Sequence, residues 1–312
     1  VDSKTAKLFA QVNQAEAVKV SLDIPSGLDA NTGVALSTEQ GRCIRADLTL
    51  TYGLGKPGLF NADGPSYAGK VSVIDIGLPQ ELVTQIANTH TTFGRFQARR
   101  ALPKRPNRSN KSNHGHTLIF SGRPGMWGAG LLSSSSAFRM GSGYVTWASH
   151  EAPMEALNQL PEVMTRAVGD ADLWQKKYDA IAIGPGLGVN EKTIELLKTL
   201  IRMKAENVVV DADAITCAVN AKLFPLPKSW VMTPHAGELS RVIQKDVREI
   251  EADRFTAAFD GAKKAGCHIL LKGYRSILAT EKRVITVRAG NSALAKAGTG
   301  DVLTGMIAGL LA

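Results

Sequence analysis

Cysteine is scarce in this chain: Cys43, Cys217 and Cys267 are the only three in 312 residues. They lie far apart and form no CxxC pair, which excludes a disulfide framework and a cysteine-built zinc cage. A reducing compartment fits this usage, and the cytoplasm is the expected location. Long apolar runs are also missing, and none approaches the ~20 residues of a membrane span. The opening "VDSKTAKLFAQVNQAEA" is polar and helix-like, without the continuous hydrophobic stretch of a secretory signal. Acidic residues are outnumbered, 28 against 37 basic ones, for a formal charge of +9. Much of that excess sits in "RFQARRALPKRPNRSNK", where Arg95, Arg99, Arg100, Lys104, Arg105, Arg108 and Lys111 have no acid among them. Aromatics make up 6% and none interleaves usefully with these charges, nor is a nucleic-acid module visible. With its two prolines and two asparagines the segment reads as a solvated basic linker. Neither nucleic acid nor membrane is an expected partner.

What is present suits a folded, two-domain chain. Apolar residues make up 44%, and the length allows two domains at roughly 100 to 200 residues each. Before the linker, "VKVSLDIP", "ADLTLTYG" and "KVSVIDIG" are short β-branched runs bounded by glycine and proline, the pattern of strands. The first runs into "PSGLDANTG", which places Asp23 and Ser26 at a strand's carboxyl end, where open α/β sheets bind ligands. After the linker, strands are expected at "HTLIFSG", "GYVTWAS", "DAIAIGPG", "NVVVDAD", "WVMTPH", "HILLKG", "SILAT" and "RVITVRAG". Helices are expected between most of them, over 127–140, 191–203, 214–221, 237–244 and 250–265, and from 301 onward. Such alternation argues for a mostly parallel sheet with helices on both faces. "SSSSA" falls within one of these helices, and close helix packing of small residues explains it better than a linker.

Several strand ends carry residues suited to chemistry. "GRPGMWGAG" and "GPGLG" are glycine loops between a strand and a helix, but neither completes the dinucleotide fingerprint. "DAD" offers Asp211 and Asp213, whose role the sequence leaves open between metal, turn and cap. "TPHAGE" puts His235 and Glu238 just past a strand, where loop residues often meet ligands. "KGYRS" joins two strands, and its lysine and arginine suit phosphate as well as a plain hairpin. Finally, "KAGTGDVLTG" leads a glycine turn into an apolar helix. Unpaired amides there would cradle an anion with Asp301 alongside as a base; alternatively Thr299 or Asp301 only caps the helix.

Taken in order, "HGHTLIFSGRPGMWGAG", "IAIGPGLG", "VVDADA", "TPHAGE", "LKG" and "GNSALAKAGTGDVLTG" resemble the ADP- or ATP-dependent NAD(P)H-hydrate dehydratases of the ribokinase-like superfamily. "DIPSGLDANTG", "TLTYGLGKPGL" and "VIDIGLP" are similar to the carboxyl half of the NAD(P)H-hydrate epimerase domain. The resemblance implies part of a Rossmann-like epimerase domain over 1–90, a basic linker over 91–110 and a ribokinase-like dehydratase domain over 111–312. It further implies ATP- or ADP-dependent phosphorylation of the ring hydroxyl of hydrated NADH or NADPH, followed by loss of phosphate. Asp301 would be the general base. Ala129, Gly188, His235 and Asp301 would meet the hydrated dinucleotide; Lys272, Gly273, Tyr274, Arg275, Ser276, Thr299 and Gly300 would meet the nucleotide. Glu238 would orient magnesium through water, though His235 stands where the superfamily keeps an asparagine. In the first domain Asp23 would contact the hydrated dinucleotide and Ser26 a potassium ion. A homo-oligomer is the expected assembly.

The sequence departs from the family in places. The family's asparagine- and glycine-rich segment and its second potassium-binding acid precede Asp23, and the sequence lacks both. A longer protein of which this is a piece is expected, the alternative being an inactive epimerase half. The sequence also stops inside the helix after Asp301, where family members continue. Ser112 stands where a glycine usually follows the lysine, and Ser292 where proline often follows "GN". Two other functions compete: a ribokinase-like kinase of another small alcohol, and a non-catalytic dinucleotide-binding protein.

Overall fold

β-Branched runs become two sheets in the computed structural model, which describes residues 2–36, 43–86, 90–154 and 158–312. The smaller sheet joins β1 (Val20–Leu22), β2 (Leu48–Tyr52) and β3 (Lys70–Ile74), where the β-branched runs predict strands, and both pairings are parallel. Helix α1 (Ser3–Gln14) precedes it, started by Asp2, whose carboxylate accepts from the Lys4 and Thr5 amides. The short α2 (Gly64–Tyr67) leads into β3, and Leu28, Leu59, Phe60 and Ala68 form a small core.

Next come α3 (Gln80–Ile86), β4 (His90–Phe93) and α4 (Arg95–Ala101). Part of the stretch expected as a linker therefore has regular structure. β4 pairs in parallel with the last strand of the larger sheet, His90 opposite Val284 and Phe93 opposite Val287, because "HTTF" supplies the β-branched residues an edge strand needs. In α4 the Gln97 side chain accepts from the Gly94 amide, closing a first turn that the charge run conceals. Beyond α4 the segment matches the expectation of irregular chain, and the Arg105 guanidinium donates to the Gly141 carbonyl.

The remaining elements alternate: β5 (His116–Phe120), α5 (Trp127–Met140), β6 (Tyr144–Ser149), β7 (Met164–Ala167), α6 (Ala171–Gln175), β8 (Ala180–Ile183), α7 (Glu191–Arg202), β9 (Val208–Val210) and α8 (Asp213–Asn220). Then follow β10 (Val231–Met232), α9 (Ala236–Ile243), α10 (Val247–Ala252), α11 (Arg254–Ala265), β11 (His268–Leu271), β12 (Ile277–Ala279), β13 (Val284–Val287) and α12 (Thr299–Leu311). Among the described residues these strands, with β4, form a ten-stranded sheet in the order β4-β13-β12-β11-β10-β9-β8-β5-β6-β7. Only the β11-β12 and β12-β13 pairs are antiparallel.

The central strands are apolar on both sides, and period-two alternation divides their residues between two cores. Leu118, Phe120, Ile183 and Val210 pack with Leu197 of α7, Ile215 of α8, Leu239 of α9 and Phe255 of α11. Ile119, Ala182 and Val209 face the other way, with Ala137 of α5 and Ala308 of α12. The α5–α12 contact explains the serine run. Ser133, Ser134 and Ser136 are buried, and a Cβ on Gly305 would lie 1.9 Å from the Ser133 carbonyl oxygen, as one on Gly309 would lie 2.6 Å from that of Ala137. Only small residues permit backbones this close.

One expected helix proves to be two. Asp253 interrupts 250–265 with φ −141° and ψ 79°, and its carboxylate accepts from the Thr256 amide to start α11. The aspartate competes with the backbone for that amide and ends α10.

Candidate active site

Parallel pairing brings the carboxyl ends of β5, β8, β9, β10 and β11 to one edge, and the polar residues picked out from the sequence follow these strands. Gly184 shows how closely the segments approach. Its φ is +131°, and a Cβ there would fall 1.8 Å from the Asp211 carbonyl oxygen. Gly186 likewise brings its backbone against Ala129, whose Cβ would be 3.0 Å away from a Cβ at position 186.

Asp211 is the structural centre of this edge. It is 1% exposed, and each carboxylate oxygen has a partner: Lys272 Nζ donates to one at 2.7 Å and Thr304 Oγ1 to the other at 2.7 Å. A buried carboxylate needs such partners to be tolerated at all. Asp213, two residues on, has different partners, accepting the Gly188 amide at 2.7 Å and lying 3.9 Å from Arg123. Between the acids Ala212 takes φ +47°. Thr304→Val should lower stability by about 1.5–3 kcal/mol, the worth of a hydrogen bond to a charged group, as measured by urea unfolding.

Lys272 is held on every side. Its amide donates to the Pro234 carbonyl at 2.8 Å, and its ammonium also lies 3.8 Å from Glu238. Glu238 is itself buried and accepts the His235 amide at 2.8 Å, while His235 Nδ1 accepts the Gly237 and Glu238 amides at the start of α9. His235 is thus a helix cap by its Nδ1 edge, with a side chain 58% exposed and its Nε2 3.6 Å from a Glu238 carboxylate oxygen.

The turn before α12 completes the group. The helix starts after Gly298, at φ +84°, with no side chain capping its first turn. The cap role for Thr299 or Asp301 is therefore not what the structure shows. Instead Asp301 sits in the first turn, its carbonyl accepting Ser133 Oγ at 3.0 Å. A Cβ on Gly300 would be 3.6 Å from Lys272 Nζ and 3.9 Å from Asp211 Oδ2, which places the glycine turn over the lysine. Thr299 Oγ1 is buried without a hydrogen-bond partner. Burial, and next the charge of Asp211, raise the Asp301 pKa above the ordinary carboxylate value; Lys272 pulls it back in part and Asp213 adds to the rise.

These features fit a phosphorylated nucleotide. Uncapped amides, a lysine ammonium and an orphaned hydroxyl converge, and a glycine lets the backbone approach. Of the expected nucleotide contacts, Gly273, Tyr274, Arg275 and Ser276 follow Lys272 in the β11–β12 turn, where Tyr274 is 52% exposed and Arg275 has φ +59°. No group of three or more His, Cys, Asp or Glu side chains able to hold a metal gathers among the described residues. Magnesium would fit here through water and phosphate, with Glu238 facing Lys272, rather than in a cage of protein ligands.

Asp23 and Ser26 belong to the smaller sheet. Asp23 takes φ +68° after β1; its carboxylate accepts from Thr51 Oγ1 and the Tyr52 amide, both at 3.2 Å, and pairs with the Lys56 ammonium. The Lys56 hydrogen bond holds its pKa below the usual range. Ser26 is exposed, and its carbonyl accepts the Ile44 amide at 2.9 Å.

The larger sheet with its flanking helices is that of the ribokinase-like superfamily. A member from Enterococcus faecalis V583 superposes with a TM-score of 0.64 at 26% identity, over 70% of this chain and 79% of its own. More narrowly, the chain belongs to the NAD(P)H-hydrate dehydratase family, whose model matches residues 117–312. A second model, of the YjeF-related protein N-terminus, matches residues 1–58. The ADP/ATP-dependent NAD(P)H-hydrate dehydratase of Bacillus subtilis, co-crystallised with ATP/Mg²⁺, is 31% identical with a TM-score of 0.64, covering 72% of this chain and 82% of its own. The bifunctional NAD(P)H-hydrate repair enzymes of Moorella thermoacetica and Coxiella burnetii are 35% and 32% identical over 98% of this chain. The chain spans about three fifths of their length, 60% and 62%. Among the described residues no helix is long and apolar enough to cross a membrane.

Proposed function

We propose that this chain repairs hydrated NAD(P)H, restoring the reduced dinucleotide by phosphorylating the ring hydroxyl at the expense of ADP or ATP and then releasing phosphate. The carrying observation is the convergence of Asp301, Lys272 and the uncapped start of α12, with Thr299 Oγ1 left unpartnered. Hydroxide is a poor leaving group, and phosphate a good one. Asp301 removes the hydroxyl proton as its oxygen attacks the transferred phosphoryl group. Lys272 and the amides of Thr299 and Gly300 stabilise the charge spread over the phosphoryl oxygens. The ring-nitrogen lone pair then expels phosphate to leave an iminium, and loss of a proton from the adjacent ring carbon to solvent re-forms the double bond.

Binding divides in the same way. Ala129, Gly188 and His235 border the dinucleotide, and 272–276 border the adenine nucleotide. Magnesium, when bound, would neutralise phosphate charge, and Glu238 would hold it through water. In the amino-terminal unit, Asp23 contacts the hydrated dinucleotide and Ser26 a potassium ion, as residues of an epimerase that would interconvert the R and S hydrates. A cytoplasmic homo-oligomer is the accompanying proposal. The repair enzymes and the B. subtilis dehydratase named above support this reading by similarity.

The test is direct. Hydrated NADH incubated with the protein, Mg²⁺ and either ADP or ATP should regain the absorbance of reduced nicotinamide while phosphate accumulates. No recovery with either nucleotide, in a folded sample, contradicts the proposal. A stable phosphorylated product without phosphate release would instead indicate a kinase of a small alcohol.

A further inference from the structure

Arg254 is the first residue of α11, a position where basic residues are ordinarily solvated, yet it is 4% exposed. Burying a guanidinium is costly unless its donors are satisfied. Here the satisfaction is incomplete and oddly directed. Nη1 donates to both carboxylate oxygens of Glu251, at 2.8 and 2.9 Å, and Nη2 donates to the main-chain carbonyl of Lys272 at 3.1 Å. Nε is buried with no partner. The adjoining Gly273 has φ +155°, and a Cβ there would lie 2.5 Å from Nη2 and 2.9 Å from Cζ. The guanidinium therefore fills the space that a side chain at the turn would need.

We propose that Arg254 is a positioning residue: braced on Glu251, it fixes the Lys272 carbonyl and the Gly273 turn, and so aims the Lys272 ammonium at the phosphate cradle. Lys272 then has its amide held by Pro234, its carbonyl by Arg254 and its ammonium by Asp211. Side chain and both main-chain groups are all anchored. A ligand-contacting lysine on a flexible four-carbon stem would otherwise lose entropy on binding, and preorganisation removes that cost. The planar fork suits this position because it holds two acceptors in one rigid arrangement, whereas an ammonium is a compact charge on a flexible stem. The importance given to Lys272 rests on the function proposed above, and the experiment separates the two.

Arg254→Lys and Arg254→Met would be compared with the exposed brace variant Glu251→Gln, in wild-type and Lys272→Met backgrounds. Hydrogen exchange of the 272–276 amides without nucleotide is the first readout and affinity for ATP/Mg²⁺ the second. Exchange should rise in all three single variants, least in Glu251→Gln, while amides of β8 and β9 stay protected. Affinity for ATP should fall at least about tenfold in Arg254→Met, equivalent to ~1.4 kcal/mol, with Arg254→Lys between it and wild type. In the Lys272→Met background the further loss should be under about threefold, since the two residues act as one unit. Unchanged exchange at 272–276 in folded variants, or equal losses in both backgrounds, would overturn the assignment. If wild type itself binds neither ADP nor ATP, the function proposed above fails, and the exchange result still decides whether Arg254 positions the turn. Should Arg254→Met not fold, Arg254→Lys and Glu251→Gln carry the same comparison.

Discussion

Asp301→Asn is expected to lower kcat for nucleotide-dependent recovery of NADH by about 10²–10⁴-fold while leaving KM for the hydrated dinucleotide nearly unchanged. Asparagine keeps the shape and the first-turn position but cannot take the hydroxyl proton. Stability should move the opposite way. Burial and the Asp211 charge raise the Asp301 pKa in the folded protein, so the folded state holds that proton more tightly than the unfolded chain does. The resulting contribution to stability is full below the unfolded-chain value and is lost as pH rises through the folded value. At neutral pH the charge opposes folding, and the asparagine variant should melt at the same temperature as wild type or higher. Calorimetry at pH 7 checks this, and a lower melting point would mean that Asp301 is chiefly a structural residue. Loss of activity with gain of stability is the expected mark of a group held for chemistry.

Gly305→Ala should do the reverse, costing stability first and activity as a consequence. Its Cβ would meet the Ser133 carbonyl oxygen at 1.9 Å and Ser136 Oγ at 2.1 Å, so α5 and α12 must separate. Overpacking of this kind costs about 1–3 kcal/mol. Because Ser133 Oγ also holds the Asp301 carbonyl, separation shifts the base itself, and kcat should fall although position 305 lies one turn from the cradle. Gly128→Ala supplies the control, since a Cβ at position 128 meets nothing within 4 Å and its stability should be unchanged or slightly higher. Urea unfolding of the two variants side by side measures the contrast. Equal stabilities would show that the α5–α12 seam is not as close as described.

Local pattern made much of this molecule legible. Strands such as "TLIF" and "VVV" are short, β-branched and apolar on both sides, which fits a sheet covered on both faces, and the serines of α5 pack as small residues should. Pattern failed where the signal was polar. β7, "MTRA", has an arginine in it and is only half-buried throughout, and β4 lies against a charge run that reads as linker. The break at Asp253 hid within a plausible helical period. At the site, the glycine turn, Asp301, Lys272 and His235 could be chosen from motifs. The division of labour between Asp211 and Asp213 could not, because the Asp211 partners Lys272 and Thr304 lie 61 and 93 residues away, and the Asp213 partner Gly188 lies 25 residues the other way. Arg254 escapes notice for a related reason: a basic residue at a helix start looks like surface until the turn it supports is seen.

The central claim is that Asp301 is a base whose proton affinity is raised by its burial and, next, by the charge of Asp211. It is tested most directly by the pH dependence of kcat for NADH recovery in wild type and in Asp211→Asn. In wild type the acid limb should have its midpoint above the ordinary aspartate value. Asp211→Asn keeps an acceptor for Thr304 Oγ1, but removes the charge that, after burial, does most to raise the Asp301 pKa, and leaves Lys272 to lower it. The limb should therefore move to lower pH, and an acid limb that stays in place or moves to higher pH would contradict the account.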